Sequence, residues 1–166
     1  MARASVGRPS RAAALAAISE LVRASQVPPR ETLRAVLSVL QRELGLSRWA
    51  LHLPGYALNV YSVDCDTGLQ DQERAFMAYL PGEGAVGQAV AARRALVLPR
   101  PASDPRFVAT PPRIRPAERY TCAFVCVPIV DRGRVLGALS ADVPRSRCRV
   151  LDSLLELLEL VASLLV

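Results

Sequence analysis

The stretch from Leu80 to Asp142 constrains the fold more than any other part of the chain. It is an ordered series. A glycine turn at Gly82-Glu83-Gly84 leads into a short helix that ends near Arg94, and Ala95–Pro99 has the pattern of a strand. An Asp-Pro loop follows. Two β-rich runs, Arg119–Val130 and Arg134–Asp142, then meet at Asp131-Arg132-Gly133. A short polar connection ending in glycine between two such runs is a hairpin signal, because the turns that match strand twist need positive φ.

The rest of the chain supplies helices and further strands. Ala12–Ser25 is rich in Ala and Leu and predicts a helix, and Pro28-Pro29 separates it from a second one over Arg30–Leu44. In that helix Leu33, Val36, Leu37, Leu40 and Leu44 recur at helical period, and Gly45 supplies the C-terminal cap. Ser47–Leu53 and Leu58–Val63 predict a strand pair joined at Pro54-Gly55, Asp64–Asp71 a polar loop, and Glu73–Leu80 a third strand. Residues 100–118 are proline-rich and form a long loop, a kind that in a compact domain is functional or mobile. The expected organisation is a flexible basic tail over 1–10 and a single domain over 11–166 with N- and C-terminal helices. This order predicts an α+β fold with one mostly antiparallel sheet of five to six strands and helices on both faces.

Composition removes several function classes. With 166 residues, 51% of them apolar and periodically placed, the chain is globular. No secretory signal or membrane span is evident, so a cytoplasmic protein with no membrane partner is expected. The net charge is +6, and every basic side chain is Arg, with no Lys. The arginines are scattered rather than lined along one helix face, so direct nucleic-acid binding is not expected. The four cysteines, at 65, 122, 126 and 148, are expected as reduced thiols.

Individual motifs then have to earn their chemistry. Gly82-x-Gly84-x-x-Gly87 matches a dinucleotide-binding pattern, but Pro81 breaks the junction where a buried parallel strand should run into the first glycine, and Glu83 would set a carboxylate against the pyrophosphate. Cys122-x-x-x-Cys126 lies in a β-rich segment, where residues four apart sit about 13 Å from each other. That separation excludes a disulfide or a shared zinc, and no metal site or cofactor is expected. His52 has no evident nucleophile partner, and no catalytic constellation emerges. The groups that stand out are Arg100, Asp104, Arg106 and the aromatic Phe107 in RPASDPRF, a loop able to close over an anionic ligand with guanidinium forks. Tyr120 and Cys122, where the next strand begins, complete the candidate ligand-binding set.

In order and spacing, the GEGAVGQAV turn, the SDPRF loop and FVCVPI followed by GRVLGALSAD resemble a GAF domain, from about Arg30 to Val166. Within that superfamily, PGEGAVGQAV, ALVLPRPASDPRFV and FVCVPI with GRVLGALSAD are most similar to the N-terminal regulatory domain of NifA-type transcriptional activators. The resemblance implies a sheet flanked by helices, a place ahead of an AAA+ ATPase and a helix-turn-helix domain, and a response to nitrogen or carbon status. The implied partners are a small effector such as a 2-oxoglutarate-like anion, or a PII-type signalling protein. Other GAF chemistries fit less well. The cyclic-nucleotide motif needs a Lys that the chain lacks, His52 is not preceded by the Cys of bilin binders, and Val86 stands where free methionine sulfoxide reductases carry a Cys.

The final helix, Val150–Val166, has one narrow polar stripe of Asp152, Glu156, Glu159 and Ser163. The remaining apolar surface should meet the N-terminal helix or a second subunit, so a homodimer is expected. The expected function is a non-enzymatic regulatory sensor that relays effector or partner binding through its terminal helices. The alternatives are a ligand-free dimerisation or protein-docking module and, behind it, a thiol-based redox sensor or methionine sulfoxide reductase.

Overall fold

The computed structural model describes residues 11–24, 30–46, 48–55, 59–107, 122–144 and 151–166. The predicted basic tail, the Pro28-Pro29 break, the 108–118 part of the long loop, Tyr120 and Cys148 lie outside the described residues. Helices α1 (Arg11–Arg23) and α2 (Arg30–Leu44) come first, followed by β1 (Arg48–Pro54), β2 (Tyr61–Thr67), the short α3 (Asp71–Ala75) and β3 (Ala78–Tyr79). Then come α4 (Gly84–Ala92), β4 (Leu96–Leu98), a 3-10 turn at Pro101–Ser103, β5 (Cys122–Asp131), β6 (Arg134–Pro144) and α5 (Leu151–Leu164).

The six strands form one sheet in the order β3-β2-β1-β6-β5-β4, and every neighbouring pair is antiparallel. The long hairpin β5–β6 turns at Arg132-Gly133, with φ of 46° and 82°. Two successive positive φ values are what a two-residue hairpin turn requires, so the sequence signal and the geometry agree.

Alternation along the central strands divides the interior in two. Trp49, Leu51, Val125, Val127, Leu139, Ala141 and Val143 face a back layer made by α1, α2 and α5. Ala50, Phe124, Cys126 and Ala138 face a front layer made by α4 and the segments around it. In the back layer α2 buries Val36, Leu37, Val39 and Leu40, close to the predicted face. Helix α5 buries Leu154, Leu157, Leu158, Val161 and Ala162 against the sheet and α1, leaving the predicted Asp152/Glu156/Glu159/Ser163 stripe in solvent.

Two predicted elements differ. Asp64–Asp71 is not all loop, because β2 continues to Thr67 past a bulge opposite Leu51/His52. The third strand shrinks to Ala78–Tyr79 because Asp71–Ala75 is helical. That helix is fixed by polar contacts: Gln70 and Glu73 form a reciprocal capping box, and Arg74 is gripped by Asp66 at 2.7 Å and Asp71 at 2.8 Å.

The turn into α4 explains its glycines. Gly82 and Gly84 adopt φ of 89° and 58°. The Leu80 amide donates to the Glu83 carboxylate (3.0 Å), and the Gly82 amide donates to the Gly87 carbonyl (2.7 Å). A Cβ at Gly87 would overlap the Leu80 carbonyl oxygen. Gly87→Ala is therefore expected to destabilise the fold by about 2 kcal/mol or more, measured by urea denaturation, whereas an Ala at a freely exposed helix position would not.

Candidate functional site

Among the described residues the buried polar and charged side chains lie on the front face. His52, Ser140 and Asp142 are the buried polar or charged residues among those described. His52 on β1 and Ser140 on β6 are diagonal neighbours across the ladder, and their Nε2 and Oγ atoms lie 2.9 Å apart. The His52 ring also packs edge-on against Tyr79, with centroids 5.8 Å apart. The pair has the composition of a nucleophile and a base, but both residues are fully buried beneath the layer that carries α4. A substrate cannot reach them there, so the arrangement fits satisfaction of buried polarity rather than attack.

Further along the front face, Arg48 donates to Glu73 (2.6 Å) and lies 3.6 Å from Asp142. Next to it, Asp66 and Asp71 hold Arg74 and push its pKa up, chiefly through the Asp66 hydrogen bond. These groups tie β1, β2, β6 and α3 into one charged seam. Because Asp142 is almost wholly buried, losing the Arg48 contact is costlier than losing one partner of an exposed pair.

The predicted ligand loop has its own order. Arg106 closes on Asp104: its backbone amide and Nε both donate to Oδ1 at 2.9 Å, and its Nη2 donates to Oδ2 at 2.7 Å. The Arg106 hydrogen bond, more than its charge, lowers the Asp104 pKa to about 2. Phe107 packs edge-on against Phe124, with centroids 5.4 Å apart, and so anchors the loop to the front core. Arg100 is exposed. Cys122 begins β5 opposite Pro144, and Tyr120 lies outside the described residues. Thus Asp104, Arg106 and Phe107 come together, with the Arg106 fork already occupied by its own carboxylate.

Two clefts open elsewhere. One, of about 600 Å³, lies at the hairpin end of the sheet between Pro54-Gly55, the end of α4 and the Gly133 turn. The other, of about 250 Å³, separates the α4–β4 connection from α5. Neither is lined by the predicted loop residues. Their linings come from segments distant in sequence, so no local motif marks them. Among the described residues no cluster of three or more His, Cys, Asp or Glu side chains could hold a metal ion, and no helix is long and apolar enough to cross a membrane.

The GAF domain family matches residues 28–166. The chain belongs to the GAF domain family. This GAF domain is 29% identical over 135 residues to the nitrogen fixation protein AnfA of Azotobacter vinelandii, covering 81% of the chain and 25% of that protein. It is 31% identical over 139 residues to the Nif-specific regulatory protein of Klebsiella pneumoniae, covering 81% of the chain and 26% of that protein. The chain thus spans about a quarter of the length of these relatives. Among solved structures, the A. Aeolicus nlh2 GAF domain in an inactive state superposes with a TM-score of 0.78 at 20% identity, over 93% of this chain and 92% of that one. A free methionine-R-sulfoxide reductase from Neisseria meningitidis, in complex with its substrate, reaches 0.68 at 20% identity over 99% and 95% of the two chains. At such identities these neighbours establish the shared fold, including the antiparallel sheet covered on both faces.

Two outcomes follow from the geometry. Ser140→Ala is expected to cost about 1–3 kcal/mol in denaturant unfolding, because the His52 Nε2 then lacks its Oγ partner. The lowered Asp104 pKa means that the fork's stabilisation is present above pH about 4, the ordinary carboxylate value, and is lost as pH falls through about 2. Carboxyl NMR should show Asp104 titrating near pH 2, and near the ordinary value in Arg106→Ala.

Proposed function

We propose that this GAF domain is the regulatory sensor of a NifA-like transcriptional regulator. It binds a small effector or a signalling partner and passes the result along its terminal helices. The observation that carries the proposal is the 31% identity to a Nif-specific regulatory protein across 81% of the chain. The architecture supports it. Helices α1 and α5 lie on the sheet face opposite α4, and their contact with each other couples the two ends of the domain. An effector that favours one arrangement of the front layer would shift the population of α5 positions. Exposed Leu160 on that helix and Val166 just after it, 45% and 56% accessible, would suit pairing with a second copy. A cytoplasmic location goes with this role.

Within this proposal the effector is a 2-oxoglutarate-like anion taken by the RPASDPRF loop, or a PII-type protein. An anion at Arg106 must displace Asp104, and that competition lowers its affinity. The self-paired fork therefore favours a second reading, in which the loop docks a protein and no metabolite is held. Thiol chemistry has less support. Cys65 and Cys126 are buried on opposite faces of the sheet, so these two cannot pair. The regulatory reading also places the domain outside the enzymes.

A chimera tests the proposal. This domain would replace the matching segment of the Klebsiella pneumoniae regulator, with a nif promoter reporter read under rich and poor nitrogen supply. A reporter that responds to nitrogen is expected. A folded chimera with constant output in both conditions would overturn the proposal. Asp104→Ala should raise 2-oxoglutarate affinity if the loop is the effector site, and leave calorimetric titrations unchanged if the loop serves a docked protein.

A further inference from the structure

We propose that the cleft at the hairpin end of the sheet binds a small organic dianion, held between Arg93 and Arg134 with the Tyr61 hydroxyl as a third donor. The site deepens the regulatory reading and rests on it for its consequence, though not for its chemistry.

The cleft's volume, about 600 Å³, is within the range of small-molecule pockets. Its inner surface is formed by buried Tyr61 and Val90 and half-buried Val135, an apolar floor. Its charged lining is one-sided: two arginines contribute and no carboxylate does. On the front side of the sheet Arg48, Arg74 and Arg106 are each committed to a carboxylate. Arg93 and Arg134 carry no ion pair among the described residues. One comes from the end of α4 and the other from the start of β6, so a bound anion would be gripped from two elements. Two guanidinium forks suit two anionic groups, either the carboxylates of a dicarboxylate or the oxygens of a phosphate monoester.

Tyr61 supplies the second observation. It is 3% exposed yet lines the cleft, and no hydrogen bond to another described residue occupies its hydroxyl. Burial raises its pKa, and nearby Arg134 only partly opposes this, so at neutral pH the phenol stays protonated and can donate. The backbone gives a third. Arg93 holds the left-handed C-cap of α4 at φ 51°, and Asn59 across the cleft sits at φ 54°. Glycine would take the Arg93 conformation without strain, so the arginine side chain is kept there at a cost in stability. Arg93 also lines the second cleft, beside Glu159, Ala162 and Ser163 of α5. A ligand drawing on Arg93 therefore acts directly beside the helix assigned the relay.

The test is calorimetric titration of the whole chain with glutarate and with phenyl phosphate, using glutaramide as the uncharged control. Saturable binding of at least one dianion and none of glutaramide is expected, with the preferred probe separating dicarboxylate from phosphate. Arg134→Gln and Arg93→Gln should each weaken it about tenfold or more, and Arg23→Gln, at the exposed end of α1, should leave it unchanged. Arg93→Gly keeps the C-cap conformation while removing the side chain, so it should melt higher than the parent and still bind weakly. Absence of saturable binding by both dianions would overturn the site. So would binding that survives both glutamine variants, or that is lost in Arg23→Gln. Dianion binding together with a nitrogen-blind chimera would support this site and sink only the regulatory reading; a responsive chimera with no dianion binding would do the reverse.

Discussion

The structure depends on a sheet whose centre has no wet side. From Ala123 to Ile129 every residue of β5 is buried, and the facing part of β6 from Gly137 to Val143 is buried as well. A ladder of this kind excludes water from both faces, so it must be covered twice. Three helices cover the back with branched apolar side chains. The front is covered by α4, a nine-residue helix that buries Gly, Ala and Val. Small residues let its backbone lie close to the strands, and the glycine turn before it sets the angle of approach.

The two layers are built differently. The back interior is apolar almost throughout, while the buried polar side chains share the front with Phe124, Cys126 and Tyr79. Each buried polar atom costs roughly 1–3 kcal/mol unless it is partnered. His52 is matched with Ser140, and Asp142 with Arg48, across strands rather than along them. The polar groups thus double as fasteners among β1, β6 and α3. Away from this seam, the front opens at the hairpin end, where Arg93 and Arg134 meet an apolar floor.

Local signals made much of this architecture readable in advance. The hairpin at Arg132-Gly133, the α2 face and the turn at Gly82–Gly87 depend on residues close in sequence. The helix at Asp71–Ala75 was missed because its stability comes from Asp66 and a capping box, and the hydrophobic pattern alone suggested a strand. His52 and Ser140 stand 88 positions apart, so only the strand register could join them. The SDPRF loop was identifiable as a polar loop with a Phe anchor, but its internal Asp104–Arg106 pairing depends on a turn geometry that composition does not fix. The hairpin cleft draws on four separate segments, and none of them carries a ligand-binding motif of its own.

Strand β5 is a partition one residue thick. Phe124 and Cys126 point forward while Val125 and Val127, interleaved with them, press on the helical layer that includes α5. The two compartments consequently share a wall and cannot be tuned apart. A side chain trimmed behind the wall lets it bow backward and enlarges the space in front, so residues that never meet a ligand still set how tightly the front can close.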